Sequence, residues 1–166
     1  MNSLNITYQW RPAVLVETGE GEYVFPEMFT CYFRQKYSVP GVCRWRVLKG
    51  QPGEKEAIYI GEAHDLARRV ERVERPSKTA KGSNTYKRLN QLLQKYLAED
   101  RTIVVDVADV DPFEVNGVKF GGDTFGDSFK RRAVEGILLA LEEKSGEFEV
   151  LNAVVDLVDK TKSPDF

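Results

Sequence analysis

One histidine and two cysteines in 166 residues exclude the common four-ligand zinc sites, which need more than His64, Cys31 and Cys43 supply. A disulfide between the cysteines stays open, although a lone pair in an unsecreted chain reads as two buried thiols. No apolar run approaches the roughly 20 residues of a membrane span. Met1-Asn2-Ser3-Leu4-Asn5 lacks the basic-then-apolar pattern of a signal peptide. The expectation is an intracellular, cytoplasmic protein with no membrane partner, nucleoid association being compatible. Internal repeats are missing too. Charge of one sign is also scarce, since the net is only −2, and an even spread would argue against nucleic acid.

The spread is not even. Between Arg68 and Lys95 nine basic residues (Arg68, Arg69, Arg72, Arg75, Lys78, Lys81, Lys87, Arg88, Lys95) face only Glu71 and Glu74, a net of +7 that leaves −9 for the rest. A cationic segment on an acidic body suits a polyanion, because the local field sets the attraction. Solvated charge runs are the commoner case; nucleic-acid contact is preferred here because the run adjoins the Gly61 turn and the arginine helix that follows it. Chain length is that of one domain with a real core.

Ala13 to Val16 reads as a short strand, Thr18 to Gly21 as a turn and Glu22 to Phe25 as a returning strand. With the aromatic stretch 26–37, residues 1–40 form an N-terminal hairpin extension, a lid or extra layer packed on the same domain. Strands follow over 42–48, 57–60 and 102–107, with Cys43, Trp45 and Val47 on one face of the first and Val42, Arg44 and Arg46 on the other. Helical periodicity marks Leu66-Val70-Val73 and Tyr86-Leu89-Leu93-Tyr96-Leu97. Asp127 or Ser128 opens a long helix to about Lys144, with Phe129, Ala133, Ile137 and Ala140 expected on its core side. Residues 109–126 read as irregular, and 159–166 as a loose tail. The fold class is therefore α/β in the α+β sense: a small, mainly antiparallel three-stranded sheet flanked by helices over 41–158.

The organising stretch is Ala57 to Val70. An apolar strand stops at Gly61, where a missing Cβ permits close approach of another group. Asp65 can cap the following helix, whose second turn holds Arg68 and Arg69 near the strand end. Glu135 lies among Ala133, Val134, Ile137 and Leu138, a costly place for a charge unless it is partnered. Its ordinary partner would be Arg131 or Arg132 one turn earlier. Glu142, two turns on, is the reserve carboxylate. A strand tyrosine such as Tyr59 is commonly structural when taken alone, one of Arg68 and Arg69 is an ordinary solvated helix arginine, and Asn152 reads equally as a turn residue or a site residue.

Taken together they carry a resemblance. Gly41-Val42-Cys43 opening one strand, Tyr59-Ile60-Gly61 closing the next, Arg69 eight residues after Gly61, then Glu135 and Asn152, resemble the ordered signature of the GIY-YIG nuclease family over residues 40–155. The resemblance implies a single-metal DNA endonuclease. Glu135 would hold Mg²⁺ or another divalent cation such as Mn²⁺, Arg69 would grip the scissile phosphate, Tyr59 would orient or deprotonate water, and Asn152 would support the site. Arg68, Arg72, Lys78, Lys81, Asn84, Lys87, Arg88 and Lys95 would track the DNA backbone. Two departures stand out. Cys43 replaces the first motif's tyrosine, and a thiol serves as base only where its surroundings lower its pKa. Val73 stands where many members carry a histidine, which leaves Tyr59 or His64 as base. The alternative is a weakened or inactive nucleic-acid-binding module on the same fold.

Overall fold

The computed structural model describes residues 3–19, 22–24, 27–74 and 84–156. Lys78, Lys81, the turn at 20–21 and the tail at 159–166 lie outside them. The chain is a mixed α/β fold, and its sheet is larger than three strands. Strands β1 (Tyr8–Gly19), β2 (Glu22–Val24), β3 (Gly41–Val47), β4 (Glu56–Ala63), β5 (Ile103–Val110) and β8 (Phe148–Val150) form one sheet in the order β2-β1-β5-β3-β4-β8. All neighbours run antiparallel except β4 and β8.

The expected N-terminal hairpin is present, β1 pairing antiparallel with β2, but it belongs to the main sheet instead of forming a separate lid or layer. β1 pairs with β5 from Tyr8↔Val110 to Val16↔Ile103 and widens the same sheet. Its register shifts between Pro12 and Val14. That bulge breaks the alternation that would otherwise have revealed a 12-residue strand, and leaves only Ala13–Val16 legible. A second correction concerns residues 109–126. Phe113–Val115 (β6) and Val118–Phe120 (β7) form a hairpin through Asn116 and Gly117, both with positive φ (50° and 79°). Asn-Gly between β-formers is a strong hairpin signal, and the sequence does carry it.

The middle strand β3 is buried on both faces, and the expected alternation holds. Cys43, Trp45 and Val47 join Tyr59, Val105 and the helix residues Leu66, Val70, Val73, Leu89 and Leu93 in one core. These helices are α2 (Leu66–Glu74) and α3 (Asn84–Ala98); α1 (Glu27–Tyr37) packs against α2 and β1. On the other face Val42, Ile58, Ile60 and Ala108 meet Val134 and Leu138 of α4 (Ser128–Ser145). Asp127 caps α4 by accepting from the backbone N–H of Phe129 and Lys130.

α4 is rotated by about one position from the expected face. Arg131, Val134, Leu138 and Glu142 are buried, whereas Phe129 is 73% exposed and Ala140 faces solvent. Two charged residues point inward because each finds partners there. Glu142 Oε1 accepts from Trp10 Nε1 at 2.7 Å and Tyr8 Oη at 3.2 Å, with Arg44 Nη1 at 3.6 Å. Fully buried Asp106 accepts from Arg44 Nε at 2.7 Å and Arg46 Nε at 2.8 Å. Glu142 is therefore a structural carboxylate, held on the wall opposite Tyr59. Among the described residues no helix is long and apolar enough to cross a membrane.

Candidate active site

The site forms where β4 runs past the end of β8. Pairing between them ends at Ile58↔Val150, and the Leu151 N–H donates to the Ile58 carbonyl at 2.8 Å. From there the Asn152 side chain continues the ladder. Its Oδ1 accepts from Ile60 N at 3.0 Å and its Nδ2 donates to Ile60 O at 2.7 Å. The adjoining turn, α5 (Asn152–Val155), brings Asp156 over the sheet.

On the face covered by α2 and α3, Tyr59 is nearly fully buried with its ring 5.8 Å from that of Trp45. Its hydroxyl donates to Asp156 Oδ1 at 2.9 Å and accepts from Arg69 Nη2 at 3.3 Å. Arg69 is placed by α2, whose first turn Asp65 caps by accepting from Arg68 N at 2.9 Å. Arg69 Nη1 donates to the Glu62 carbonyl at 2.9 Å, and the guanidinium lies 5.4 Å from the Tyr86 ring centre and 5.9 Å from that of Trp45. Gly61 makes room for it: a Cβ there would stand 2.3 Å from Nη2 and 2.7 Å from Cζ. Among the described residues no carboxylate pairs with Arg69, and its buried Nε has no hydrogen-bond partner.

Glu135 shares this neighbourhood. Burial, foremost, pushes its carboxyl up to about 7; Arg69 opposes this, while Glu62 and Asp156 add to it. The expected helix partners go elsewhere. Arg131 Nε meets Glu62 Oε2 at 2.7 Å, and Arg132 Nε lies 3.5 Å from Glu62 Oε1. Glu135 is left with no hydrogen bond or ion pair among the described residues. Its charge still acts on Tyr59, Arg69 and Cys43, so the four groups share one field. Burial likewise raises the Tyr59 phenol above its ordinary value.

Cys43 does not meet the condition for a base. It is fully buried, and burial pushes its thiol up to about 12 despite Arg69 nearby. His64 is exposed at the rim of a cleft of about 300 Å³ beside Arg69. Arg68, Arg72, Arg131, Glu62 and Tyr86 also border that cleft. Among the DNA-contact candidates, Lys87 is half-buried and Lys95 exposed on α3, and Asn84 begins that helix. Arg88 is turned inward, donating from Nε to the Val155 carbonyl at 2.6 Å.

Among the described residues no three His, Cys, Asp or Glu side chains stand together as a metal cage. The fit to a divalent cation rests instead on Glu135 alone, a half-buried carboxylate with no hydrogen bond or ion pair among the described residues, on which the charges of Glu62 and Asp156 act. Mg²⁺ binds through as few as one carboxylate and keeps several waters. Asp156, Tyr86 and Glu62 escaped the sequence reading. Asp156 stands four residues after Asn152, one helical turn, and Tyr86 carries the same periodic signal as any core aromatic. Comparison with family models, curated proteins and solved structures finds no match for the chain.

Proposed function

We propose that the chain is a divalent-metal-dependent endonuclease that hydrolyses DNA phosphodiesters at the cleft bordered by Arg69, whose guanidinium Tyr59 touches and on which the charge of Glu135 acts. The observation that carries this reading is Arg69, a cation anchored at both terminal nitrogens, bordering a cleft and lacking a carboxylate partner among the described residues. A phosphate oxygen supplies the missing charge, and a guanidinium already fixed in place loses little freedom when it binds. Arg68 and Arg72, exposed on α2 at the same cleft, extend the positive rim for the flanking phosphates. Glu135 is the residue that would hold the cation, which when bound supplies charge neutralisation for the phosphoryl oxygens. Asn152 keeps the end of β4 straight, so that Tyr59 and Glu62 present the two acceptors that anchor Arg69.

The second reading, a DNA-binding module without chemistry, is favoured by Cys43, whose buried and proton-retaining thiol stands where the resembling family has a tyrosine. A plasmid-nicking assay with Mg²⁺ or Mn²⁺ decides between them. The nuclease reading expects nicking that Arg69→Ala and Glu135→Ala each abolish. Salt-sensitive DNA binding without nicking selects the binding module. Nicking undiminished in Glu135→Ala overturns the metal assignment.

A further inference from the structure

We infer that Asp156 is the proton acceptor for Tyr59, so that the phenol relays a proton rather than storing charge. The inference rests on the nuclease reading and names a positioning and proton-accepting residue outside the residues that carry the family resemblance.

The direction of the relay follows from what each neighbour can do. A guanidinium only donates, so Arg69 Nη2 at 3.3 Å must face a lone pair of Tyr59 Oη. A carboxylate only accepts, so the phenolic proton must lie toward Asp156 Oδ1 at 2.9 Å. The second lone pair of Oη remains to take a proton from water. Arg69 connects the two environments, because the same guanidinium borders the cleft and touches Oη.

A lone phenolate is a poor base in this position. Tyr59 is 2% exposed, and a buried anion there is costly. Transfer to Asp156 as Oη accepts from water avoids it, since the carboxylate already carries the charge. Asn152 holds that carboxylate in place: its Nδ2 lies 3.4 Å from Asp156 Oδ2, and its carbonyl accepts from the Asp156 N–H at 2.7 Å. The charged groups acting on the phenol are Arg69 from α2, Asp156 itself and Glu135 from α4.

In the hydrolytic step a water O–H bond breaks and its proton goes to Tyr59 Oη, while the former phenolic proton goes to Asp156. The water oxygen bonds to phosphorus as the ester P–O bond breaks. The leaving oxygen takes a proton from solvent water, and Asp156 returns its proton to solvent through Tyr59 after product release. Water is the only co-reactant.

The test uses the whole chain with Asp156→Asn, which keeps an acceptor oxygen but cannot take up the proton, and Tyr59→Phe, which keeps the ring. Folding of each is checked by circular dichroism. Asp156→Asn is expected to lower kcat at least tenfold with KM for DNA within twofold, and to shift the pH–rate profile. Combined with Tyr59→Phe it should lower kcat no further. Absorbance titration at 295 nm, with Tyr59→Phe as the blank, should show the Tyr59 phenol ionising at lower pH in Asp156→Asn, because an opposing charge is gone. Should Asp156→Asn fail to fold, Asp156→Glu takes its place. Retained activity with a moved pH profile then supports the relay, and an unmoved profile opposes it. Wild-type cleavage with kcat and pH profile unchanged in Asp156→Asn overturns the role of Asp156 alone. Inactive wild type overturns the nuclease reading and the relay together.

Discussion

Asn152 binds Ile60 as a neighbouring strand would, one side-chain amide satisfying both the N–H and the C=O of a single residue at 3.0 and 2.7 Å. β8 is three residues long and ends before it can reach Ile60. Without the amide, two buried backbone groups beside Tyr59 have no partner.

Asn152→Ala is therefore expected to destabilise the protein by at least about 1–3 kcal/mol, the range for leaving one buried polar group unsatisfied. Asn152→Asp should be worse, because a carboxylate would face the Ile60 carbonyl. Urea denaturation midpoints measure both. A midpoint unchanged in Asn152→Ala would show that water replaces the amide there.

Gly61→Ala isolates the packing of Arg69. The added methyl would meet the guanidinium at 2.3–2.9 Å, so the side chain must move off Tyr59 and the Glu62 carbonyl. Losing one charge-assisted hydrogen bond to the ligand is worth about 1.5–3 kcal/mol. DNA affinity, read by fluorescence anisotropy at fixed salt, should fall roughly ten- to hundredfold. Nicking should be lost, with the far-ultraviolet circular dichroism spectrum preserved.

Glu135 makes stability depend on pH. Its carboxyl titrates at about 7 in the folded chain, against an ordinary value of 4.5. The folded state therefore holds the extra proton between these values. Stability is greatest below pH 4.5 on this group's account and declines as pH rises to about 7. Glu135→Gln should abolish that decline and stabilise the protein at pH 8, by on the order of 1–2 kcal/mol once solvent screening of a part-exposed group is allowed for. Mg²⁺ should bind more tightly as pH rises through 7 and release a proton, which calorimetry in buffers of different ionisation enthalpy detects.

Glu142 supplies the contrast. Removing it leaves Trp10 Nε1 without its acceptor in the opposite core and Arg44 with Asp106 as its remaining carboxylate. Glu142→Ala should destabilise by about 1–3 kcal/mol, the range for leaving a buried donor such as Trp10 Nε1 unsatisfied. Nicking per folded molecule, measured well below the melting temperature, should not change. Loss of activity out of proportion to unfolding would make Glu142 part of the chemistry.

How much of this was legible depends on whether a local pattern announces it. The β3–β4–α2 stretch was, because period-two alternation, a glycine stop and an aspartate cap all agree there. α4 was legible as a helix with the right cap but not in its rotation, because Arg131 and Glu142 are buried by partners distant in sequence. Hydrophobic spacing cannot register a salt bridge. Residues Tyr8–Pro12 stayed hidden behind a bulge, and β8 was too short to stand out from the apolar stretch around it. The order of Tyr59, Arg69, Glu135 and Asn152 suggested a common site. The geometry adds Asp156, which nothing local distinguished from any other late acid, and it removes Cys43 as a base.

The parallel seam between β4 and β8 has a consequence for biosynthesis. Until residues 148–156 have left the ribosome, Tyr59 lacks its carboxylate partner and Ile60 its amide, although the arginines of α2 are already made. A nascent chain at that stage carries the arginines of α2 without the groups that set the phenol, so on the proposed nuclease reading affinity for polyanions would mature before catalytic competence does.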